Sequence, residues 1–548
     1  MRFRASVILL TLLIGASAGA VEPAALSETV RALTADDLQG RAPGTPGEAR
    51  AIEYLIGRFK ALGLSPAGEA GGWTQAVPLL RTQIGPSPSF TIEGSGGSVP
   101  LKQGEQIYAA TLHADPELDI KSAPMVFVGY GVNAPERGWD DFKGVDLKGK
   151  VALFLINDPD FEAAPGEPVA GKFGGKAMTY YGRWTYKFEE AARRGAVAAL
   201  IVHETAGAGY GWTTVTAPQG ESYDVVRGAH DPQPVPLQGW LAHDVAVELF
   251  QAVGLDFDAL KQSARRQDFH PVMIGGVTFS AHLAVAASTV QSRNVLAQIK
   301  GSKHPDESIM FGAHWDAYGV GAPDAQGNTI RRGANDDALG AAGVLEIARA
   351  FASGKHPERT VLFALWTAEE RGLLGSETYA AHPLYPLAKT VANFTLDVLN
   401  TAGPAHDVVL VGSGQDSLEQ DLAAAAKGQN RVVTPDSHPE KGLFYRADHF
   451  SFAKRGVPTL LIMALGGGAD LVDGGREAGS KWVDDYTANC YHKPCDALTA
   501  DWDLRGAAQD VELVYDLGRD LAFSRRWPRW SEGSEFKSIR AATEKERP

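Results

Sequence analysis

The pattern of apolar and polar positions divides the chain into regions with different predicted secondary structure. Apolar residues recur at helical spacing in residues 26–62, and a loop rich in glycine and proline, residues 40–47, interrupts them. From residue 294 onwards, short apolar runs typical of buried strands alternate with helical stretches. The predicted strands are residues 295–299, 309–313, 361–366, 408–411 and 459–463.

Helical periodicity occupies the intervals between these strands. The predicted helices are residues 340–352, 374–381, 415–427, 449–455 and 504–523. This alternation predicts an α/β fold, with a mainly parallel mixed sheet flanked by helices. Because ligands bind beyond the carboxyl ends of strands in such sheets, the polar residues that follow each strand are candidates for a functional site.

The middle of the chain has a different pattern of apolar and polar residues. Strand-like runs at residues 124–132, 151–156 and 198–202 surround a predicted helix at 187–195. Residues 158–185 and 204–236, both rich in glycine, proline and aromatic residues, are predicted to be surface loops. This region is predicted to be a separate α/β unit.

The first twenty residues have the pattern of a secretory signal peptide. Arg2 and Arg4 precede an apolar run at residues 7–14 that is too short to cross a bilayer, and Ala18 and Ala20 suit a cleavage site. We predict cleavage after Ala20 and export to the periplasm or the medium, with an uncleaved anchor as the alternative. No later apolar run is long enough for a membrane helix, so no stable membrane insertion is predicted after cleavage.

Amino-acid composition and net charge limit the classes of protein to which the chain can belong. The 548 residues are 44% hydrophobic and 22% charged, which is typical of a globular protein with more than one domain. The net charge is −14 and no block of lysine or arginine is present, which excludes nucleic acid as a predicted partner. The sequence carries no prediction of the oligomeric state.

Two polar segments in the second half of the chain contain candidate metal ligands. His314 and Asp316 directly follow a predicted strand, and a neutral imidazole binds zinc best when an acceptor orients its other nitrogen. Asp336 and Asp337 lie between small residues at the start of a predicted helix. An amino-terminal cap would explain one of these two aspartates without any metal.

Three more carboxylates lie at the ends of apolar, strand-like runs. Glu369 and Glu370 come directly after strand 361–366, where one could bind a metal while the other acts as a base. The alternative is the solvated start of a helix. Asp397 ends an apolar strand, where burial without a cation would cost free energy unless the carboxylate reaches solvent.

A histidine near the carboxyl terminus completes the set. His492 lies in a short loop between Cys490 and Cys495. The two cysteines are predicted to form a disulfide in an oxidising compartment, with free thiols or metal ligands as alternatives. Mixed nitrogen and oxygen ligands suit zinc, and two zinc ions that share a carboxylate are the arrangement of aminopeptidases.

The ordered motifs H-x-D, G-A-x-D-x-x-x-G, A-E-E-x-G-L-L-G-S, L-D and Y-H-x-P-x-D resemble the two-zinc aminopeptidases related to glutamate carboxypeptidase and the transferrin receptor. The opening G-R-A-P-G-T at residues 40–45 is also similar to that family. Residues 116–275 are similar to the protease-associated domain that is inserted in many relatives. The resemblance implies a zinc exopeptidase fold with these domains: signal peptide 1–20, catalytic domain 21–115 and 276–530, inserted domain 116–275 and polar tail 531–548.

The resemblance also implies a role for each candidate residue. His314 and Asp397 would bind one zinc ion, Glu370 and His492 the other, and Asp336 would bridge both. The resemblance implies catalytic roles for three further residues. Glu369 would be the general base, and Asp316 would be an acid that contacts the ligand His314 rather than the metal. Tyr491 would donate a hydrogen bond to the oxyanion. Asp337 would take part in an unusual peptide geometry.

The implied function is a zinc-dependent exopeptidase, with two zinc ions per subunit, that removes amino-terminal residues from peptides by a metal-bridged hydroxide. A carboxypeptidase or dipeptidase on the same scaffold, a one-zinc glutaminyl cyclase and a non-catalytic binding protein are the alternatives. The chain departs from the family pattern at Asp337, Leu339 and Ala447, and these differences bear on substrate preference rather than on the predicted ligands.

Overall fold

Two β-sheets joined by one long strand form the framework of the molecule. The computed structural model of the protein describes residues 21–94 and 96–547, so the predicted signal peptide lies outside the described residues. The 28-residue strand Val272–Ile299 pairs through its first half in one sheet and through its second half in the other. We call the sheet that holds its second half the first sheet, and the other the second sheet.

The first sheet contains the strands predicted in the second half of the chain. Its strands, in order across the sheet, are Glu221–Val225, Thr74–Ile84, Val272–Ile299, Arg359–Trp366, His304–His314, Thr390–Leu396, Thr459–Ile462, Asp407–Val411 and Val432–Pro435, and Ser65–Pro66 also pairs with Val272–Ile299. The four strands from Arg359–Trp366 to Thr459–Ile462 are parallel, and their outer neighbours pair with them antiparallel. The predicted mixed, mainly parallel α/β sheet is confirmed.

The second sheet is built mostly from the middle of the chain. Its strands, in order, are Gly97–Leu101, Ser89–Gly94, Val272–Ile299, Glu117–Phe127, Val151–Leu155, Ala198–His203, Leu237–Ala242 and Ile107–Ala110. Two short hairpins pair Asn133–Ala134 with Trp139–Asp140 and Gly319–Val320 with Ile330–Arg331.

Helices cover both faces of the first sheet. The described α-helices are Pro23–Leu33, Pro46–Ala61, Trp184–Arg193, Thr205–Ala208, Trp212–Thr216, His243–Ala252, Phe257–Ala264, Leu339–Ser353, Leu374–Ala381, Leu418–Gly428, His449–Ala453, Gly475–Asn489, Arg505–Ala522 and Lys537–Ala542. Along strand His304–His314, Phe311 packs into the cluster with helix Leu339–Ser353, while Met310 packs into the cluster of the opposite face. A central parallel strand is therefore apolar on both faces, which explains its continuous hydrophobic run. Within the described residues, none of the helices is both long and apolar enough to cross a bilayer.

Several elements differ from the sequence-based expectation. The strand predicted at 295–299 is only the end of Val272–Ile299, because most of that strand alternates polar and apolar residues. Helix Gly475–Asn489 was not predicted, since one residue of it, Gly479, is buried and the apolar periodicity is weak. The predicted loop 204–236 contains strand Glu221–Val225, which pairs with Thr74–Ile84 at the edge of the first sheet.

The carboxyl-terminal tail is packed, although its polar composition predicts frayed chain. Phe536 is 1% exposed, and Arg540 donates hydrogen bonds to the carbonyl oxygens of Leu387 and Thr390. A few anchoring side chains are enough to order a polar segment, and composition does not report them. The predicted domain limits stay a prediction, and the pairing of residues 89–110 in the second sheet favours a boundary nearer residue 85 than residue 115.

Candidate metal centre

The candidate ligands lie where neighbouring parallel strands end. His314 is the last residue of His304–His314, and Asp397 directly follows Thr390–Leu396. Glu369 and Glu370 lie in a short helical turn just beyond Arg359–Trp366. Because these three strands pair side by side, their carboxyl ends bring the side chains to one edge of the first sheet.

The five predicted ligands form two groups of three that share one residue. The first group is His314, Asp336 and Asp397, and the second is Asp336, Glu370 and His492. Within each group the potential ligand atoms all lie within 4.8 Å of one another. Asp336 lies between the two, with one oxygen 3.1 Å from His314 Nε2 and the other 3.2 Å from His492 Nε2. His492 Nε2 is also 3.3 Å from a Glu370 oxygen.

The segment that carries Asp336 is held from several directions. The backbone N–H groups of Asn335 and Asp336 donate to the two oxygens of Asp496, at 2.9 and 3.1 Å. The peptide bond between Asp336 and Asp337 is cis. Asp337 accepts from the backbone N–H groups of His314 and Gly340, at 3.1 and 2.9 Å. Asp337 therefore ties the first turn of helix Leu339–Ser353 to the strand that ends at His314.

Asp496 and Asn335 are site residues that the sequence did not single out. Asp496 is the last residue of the Y-H-x-P-x-D motif, but no role was predicted for it. Asn335 both donates to the carbonyl oxygen of Leu399 and accepts from its N–H, each at 3.0 Å. The side chains of Asn335 and Asp496 thus orient the peptide groups around Asp336, which no local pattern indicates.

Glu369 lies beside both groups without belonging to either. One of its oxygens is 3.8 Å from His314 Nε2, and its side chain is 10% exposed. Its backbone N–H donates to Asp316 Oδ1 at 3.1 Å. The Nδ1 atom of His314 lies 3.2 Å from the carbonyl oxygen of Asp316 and 3.6 Å from its carboxylate. Asp316 thus contacts the imidazole on the side opposite Asp336, where a residue that orients a ligand would lie.

The electrostatics of the site favour a bound cation. Burial raises the pKa of Glu369 and of Glu370 well above the ordinary value, and burial together with Asp336 raises the pKa of Asp397 to about 8. Burial also acts to raise the pKa of Asp336, but hydrogen bonds from His314 and His492 outweigh it and lower that pKa. Several buried carboxylates with so few cationic partners need added positive charge to ionise together. The residues present therefore fit two divalent metal ions with mixed nitrogen and oxygen ligands.

Tyr491 and the disulfide loop border the site. The rings of Tyr491 and His492 are in contact, with centroids 3.7 Å apart and planes tilted by 31°, and the Tyr491 hydroxyl accepts a hydrogen bond from Arg446 at 3.4 Å. Burial raises the pKa of Tyr491 well above its ordinary value, so the phenol stays protonated and can donate. Cys490 and Cys495 form a disulfide that closes the loop carrying His492.

Arg41 is a further buried contributor to the site. It lies in the glycine-rich loop after the first helix and is 0% exposed. Its guanidinium donates to the carbonyl oxygens of Trp315, Arg332 and Gly333, and to Leu33 at 3.1 Å. Trp315 lies between His314 and Asp316, and Gly333 precedes the Asp336 segment. One side chain thus fixes both ligand-bearing segments, a role that the G-R-A-P-G-T motif alone does not indicate.

Comparison with known proteins identifies the region that contains the site. Residues 294–515 match the sequence model of Peptidase family M28. Over this region the chain is similar to peptidase family M28. The M28 region includes every residue of the two candidate ligand groups. The family predicted from the ordered motifs is confirmed, while the predicted protease-associated insertion lies outside the match and stays a prediction.

The individual relatives match parts of the chain. Leupeptin-inactivating enzyme 1 from Streptomyces exfoliatus is 30% identical over 211 residues, which are 38% of this chain and 43% of that protein. A probable glutamate carboxypeptidase from Arabidopsis thaliana is 25% identical over 448 residues, 71% of this chain and 55% of that protein. The chain thus spans about half the length of these curated relatives. Among solved structures, the aminopeptidase from Aneurinibacillus sp. strain AM-1 is similar, at 20% identity and a TM-score of 0.49, over 92% of this chain and 95% of that one.

Proposed function

We propose that the protein is an exported, zinc-dependent aminopeptidase that removes amino-terminal residues from peptides. The observation that supports this proposal most is the pair of ligand groups that share Asp336, with the non-ligand carboxylate of Glu369 beside them. The match of residues 294–515 to peptidase family M28 supports a peptidase in general, and the relatives include both a probable glutamate carboxypeptidase and a probable lipoprotein aminopeptidase.

The candidate ligands would hold two zinc ions, one at His314 and Asp397 and one at Glu370 and His492, with Asp336 between them. Zinc bound there supplies Lewis acidity toward the attacking water and the scissile carbonyl. Asp316 keeps the His314 imidazole oriented by its contacts at Nδ1, and Asp496 holds the backbone that presents Asp336.

Glu369 is the group proposed to move protons. Its position beside the ligand groups, without belonging to either, suits a carboxylate that accepts a proton from the attacking water and later returns it to the leaving amine. The Tyr491 hydroxyl, which stays protonated, donates a hydrogen bond to the oxygen that becomes negative as the carbonyl is attacked. The Glu369 side chain is 10% exposed and Tyr491 is partly buried, so the access of bulk water to these contacts is restricted.

Export is the second part of the proposal. The pattern of residues 1–20 predicts it, and a disulfide between Cys490 and Cys495 suits an oxidising compartment such as the periplasm or the medium. Amino-terminal sequencing of the purified secreted or periplasmic protein tests this part. A chain that begins at Val21 is expected, and one that retains residues 1–20 would contradict the predicted cleavage.

The activity is tested with a substrate panel. The panel contains aminoacyl anilides, amino-blocked peptides and carboxyl-blocked peptides, each assayed before chelation, after chelation and after zinc is restored. We expect cleavage of the substrates with a free amino group, loss of activity on chelation and recovery with zinc. Cleavage confined to amino-blocked peptides with a free carboxyl terminus would change the proposal to a carboxypeptidase.

Metal content tests the shared ligand. Asp336→Ala removes the one residue common to both groups, so we expect zinc content to fall well below two ions per chain. Mass spectrometry under native conditions, or elemental analysis of the dialysed protein, measures this directly. Retention of two zinc ions by the folded variant would contradict the proposed role of Asp336.

A further inference from the structure

An arginine that follows the two glutamates is stacked between two tyrosines at the entrance to the site. The Arg371 guanidinium lies over the ring of Tyr318 at 5.2 Å and over the ring of Tyr223 at 4.9 Å. Tyr318 in turn packs on His492, with ring centroids 4.7 Å apart. A single aromatic ring therefore separates this guanidinium from a candidate zinc ligand.

The Arg371 guanidinium has N–H donors that the surrounding described residues do not engage. Its nearest carboxylate, Glu221, lies 3.9 Å away, which is beyond hydrogen-bond distance. That carboxylate is already paired with Arg81 at 2.6 Å. No hydrogen bond from the Arg371 side chain is found among residues 21–94 and 96–547, and the side chain is 22% exposed. Stacking holds the planar group in place while its N–H groups stay available.

Two elements that are distant in sequence determine the position of the Arg371 side chain. The turn Glu369–Arg371 projects it from the end of a central strand of the first sheet. Tyr223 and Glu221 belong to strand Glu221–Val225, which lies within the predicted inserted domain and pairs with Thr74–Ile84. A strand of the predicted inserted domain thus supplies one of the two rings that hold Arg371.

We propose that Arg371 binds a carboxylate of the peptide substrate on the leaving-group side of the scissile bond. A guanidinium whose planar fork is already oriented matches the two oxygens of a carboxylate. In a short peptide that carboxylate is the free carboxyl terminus, and in a longer one it is an acidic side chain next to the cleaved bond. This proposal rests on the proposed aminopeptidase activity, and it makes the protein an enzyme that prefers short or acidic peptides.

Three substrates with the same amino-terminal residue distinguish the sources of the carboxylate. They are Leu-Ala, Leu-Ala-amide and Leu-Asp-amide, assayed with the zinc-loaded full-length enzyme. For Arg371→Met, which keeps most of the side-chain length without the charge, we expect kcat/KM to fall about 10- to 100-fold on the substrates whose carboxylate Arg371 binds, mainly through KM. Leu-Ala-amide should change less than about 3-fold.

The pattern across the three substrates decides the outcome. A selective loss on Leu-Ala assigns the free carboxyl terminus, a selective loss on Leu-Asp-amide assigns the acidic side chain, and both support the proposal. An equal loss on all three, or no loss on any, overturns it while the aminopeptidase proposal stands. A wild-type enzyme that cleaves none of the three overturns both proposals.

Three further variants make the test independent of folding defects. Arg371→Lys keeps the charge without the planar fork and should retain part of the selectivity, so it serves if Arg371→Met is poorly folded. Glu221→Gln removes a competing carboxylate and should leave KM for Leu-Ala equal or lower; a higher KM would count against the proposal. Arg58→Met is the matched control, because Arg58 also lies over a tyrosine, Tyr54, and pairs with a glutamate at 3.3 Å, yet on the outer helix Pro46–Ala61.

Discussion

At the scale of single residues, some carboxylates of the site are candidate metal ligands, whereas the carboxylates next to them in sequence have other roles. Asp336 and Glu370 belong to the ligand groups, whereas Glu369, adjacent in sequence to Glu370, belongs to neither. Asp337, adjacent to Asp336, accepts two backbone hydrogen bonds that join a strand end to the start of a helix. The same residue type therefore has different tasks because neighbouring side chains leave a turn in different directions.

Glu369→Gln tests the division between ligand and base. The amide has nearly the same shape but cannot accept the proton, so we expect kcat to fall about 10²- to 10⁴-fold while zinc content stays the same. Kinetics on a free-amino substrate and metal analysis measure both. Glu105→Gln, at an exposed position with a 63% exposed side chain, is the control and should be fully active. A variant of Glu369 with normal kcat would refute the assignment.

Because His449 is buried, we expect the folded protein to lose stability in mild acid. Burial lowers its pKa to about 3, and neither ring nitrogen has a hydrogen-bond partner among the described residues. The neutral form is therefore favoured on folding, so its contribution is complete above the ordinary pKa of about 6.5 and is lost as pH falls below it.

The variant His449→Phe removes that titration. The stability of wild type relative to the variant should fall by about 1.4 kcal/mol for each pH unit below about 6.5. Urea unfolding at pH 7 and pH 5 measures the difference. An equal difference at the two pH values would show that His449 is not kept neutral by burial.

At the scale of elements, the site depends on where strands end and on what holds the turns after them. The chain turns away after His314, Trp366 and Leu396 at the same edge of the first sheet. Arg41 fixes two of the segments that carry ligands through carbonyl oxygens rather than through carboxylates. Backbone carbonyls become a binding site for a guanidinium only after helix, strand and loop have come together.

The variant Arg41→Met tests whether Arg41 holds the two ligand-bearing segments in place. Removal of a buried charged donor leaves several carbonyl oxygens unpaired, so we expect a loss of at least about 3 kcal/mol in the free energy of unfolding. Because the ligand segments loosen, zinc affinity should also fall about 10-fold or more. Chemical unfolding and competition with a chelator measure the two effects. Unchanged zinc affinity in a destabilised variant would make Arg41 a residue of the fold alone.

At the scale of the whole molecule, the carboxyl-terminal segment connects the two sheets. Glu535 accepts hydrogen bonds from the backbone of Tyr180 and from the Tyr445 hydroxyl, each at 3.1 Å, and lies 3.4 Å from Arg137. Tyr180 and Arg137 belong to the middle region of the chain, and Tyr445 belongs to the M28 region. One buried carboxylate thus links the predicted inserted domain to the catalytic region.

Glu535→Ala should weaken this connection. Loss of a buried acceptor of several hydrogen bonds is expected to cost about 1–3 kcal/mol and to increase amide hydrogen exchange in residues 178–186. Hydrogen exchange with mass spectrometry locates the effect. Glu532→Ala, where the side chain is 92% exposed and pairs with Lys537, is the control and should change stability by less than about 0.5 kcal/mol. Equal exchange in both variants would contradict the linking role.

The class of the fold and the set of candidate ligands both follow from local patterns along the chain. Ligand residues lie within a few positions of strand ends, and apolar runs of strand length mark those strands, so both features are local and can be read along the chain. The order of the motifs was enough to predict the family. The strands at residues 89–110 and the strand Glu221–Val225 were not predicted, because their apolar pattern is short or mixed.

The tertiary structure alone decided which residues meet. Arg41 binds carbonyl oxygens 274 to 292 positions away, Asp496 holds backbone N–H groups about 160 positions away, and Tyr223 stacks on Arg371 from another region of the chain. These contacts depend on sheet register and on the packing of loops, which no local periodicity encodes. The residues that would perform the reaction could therefore be named from sequence, whereas those that position them and shape the entrance required the fold.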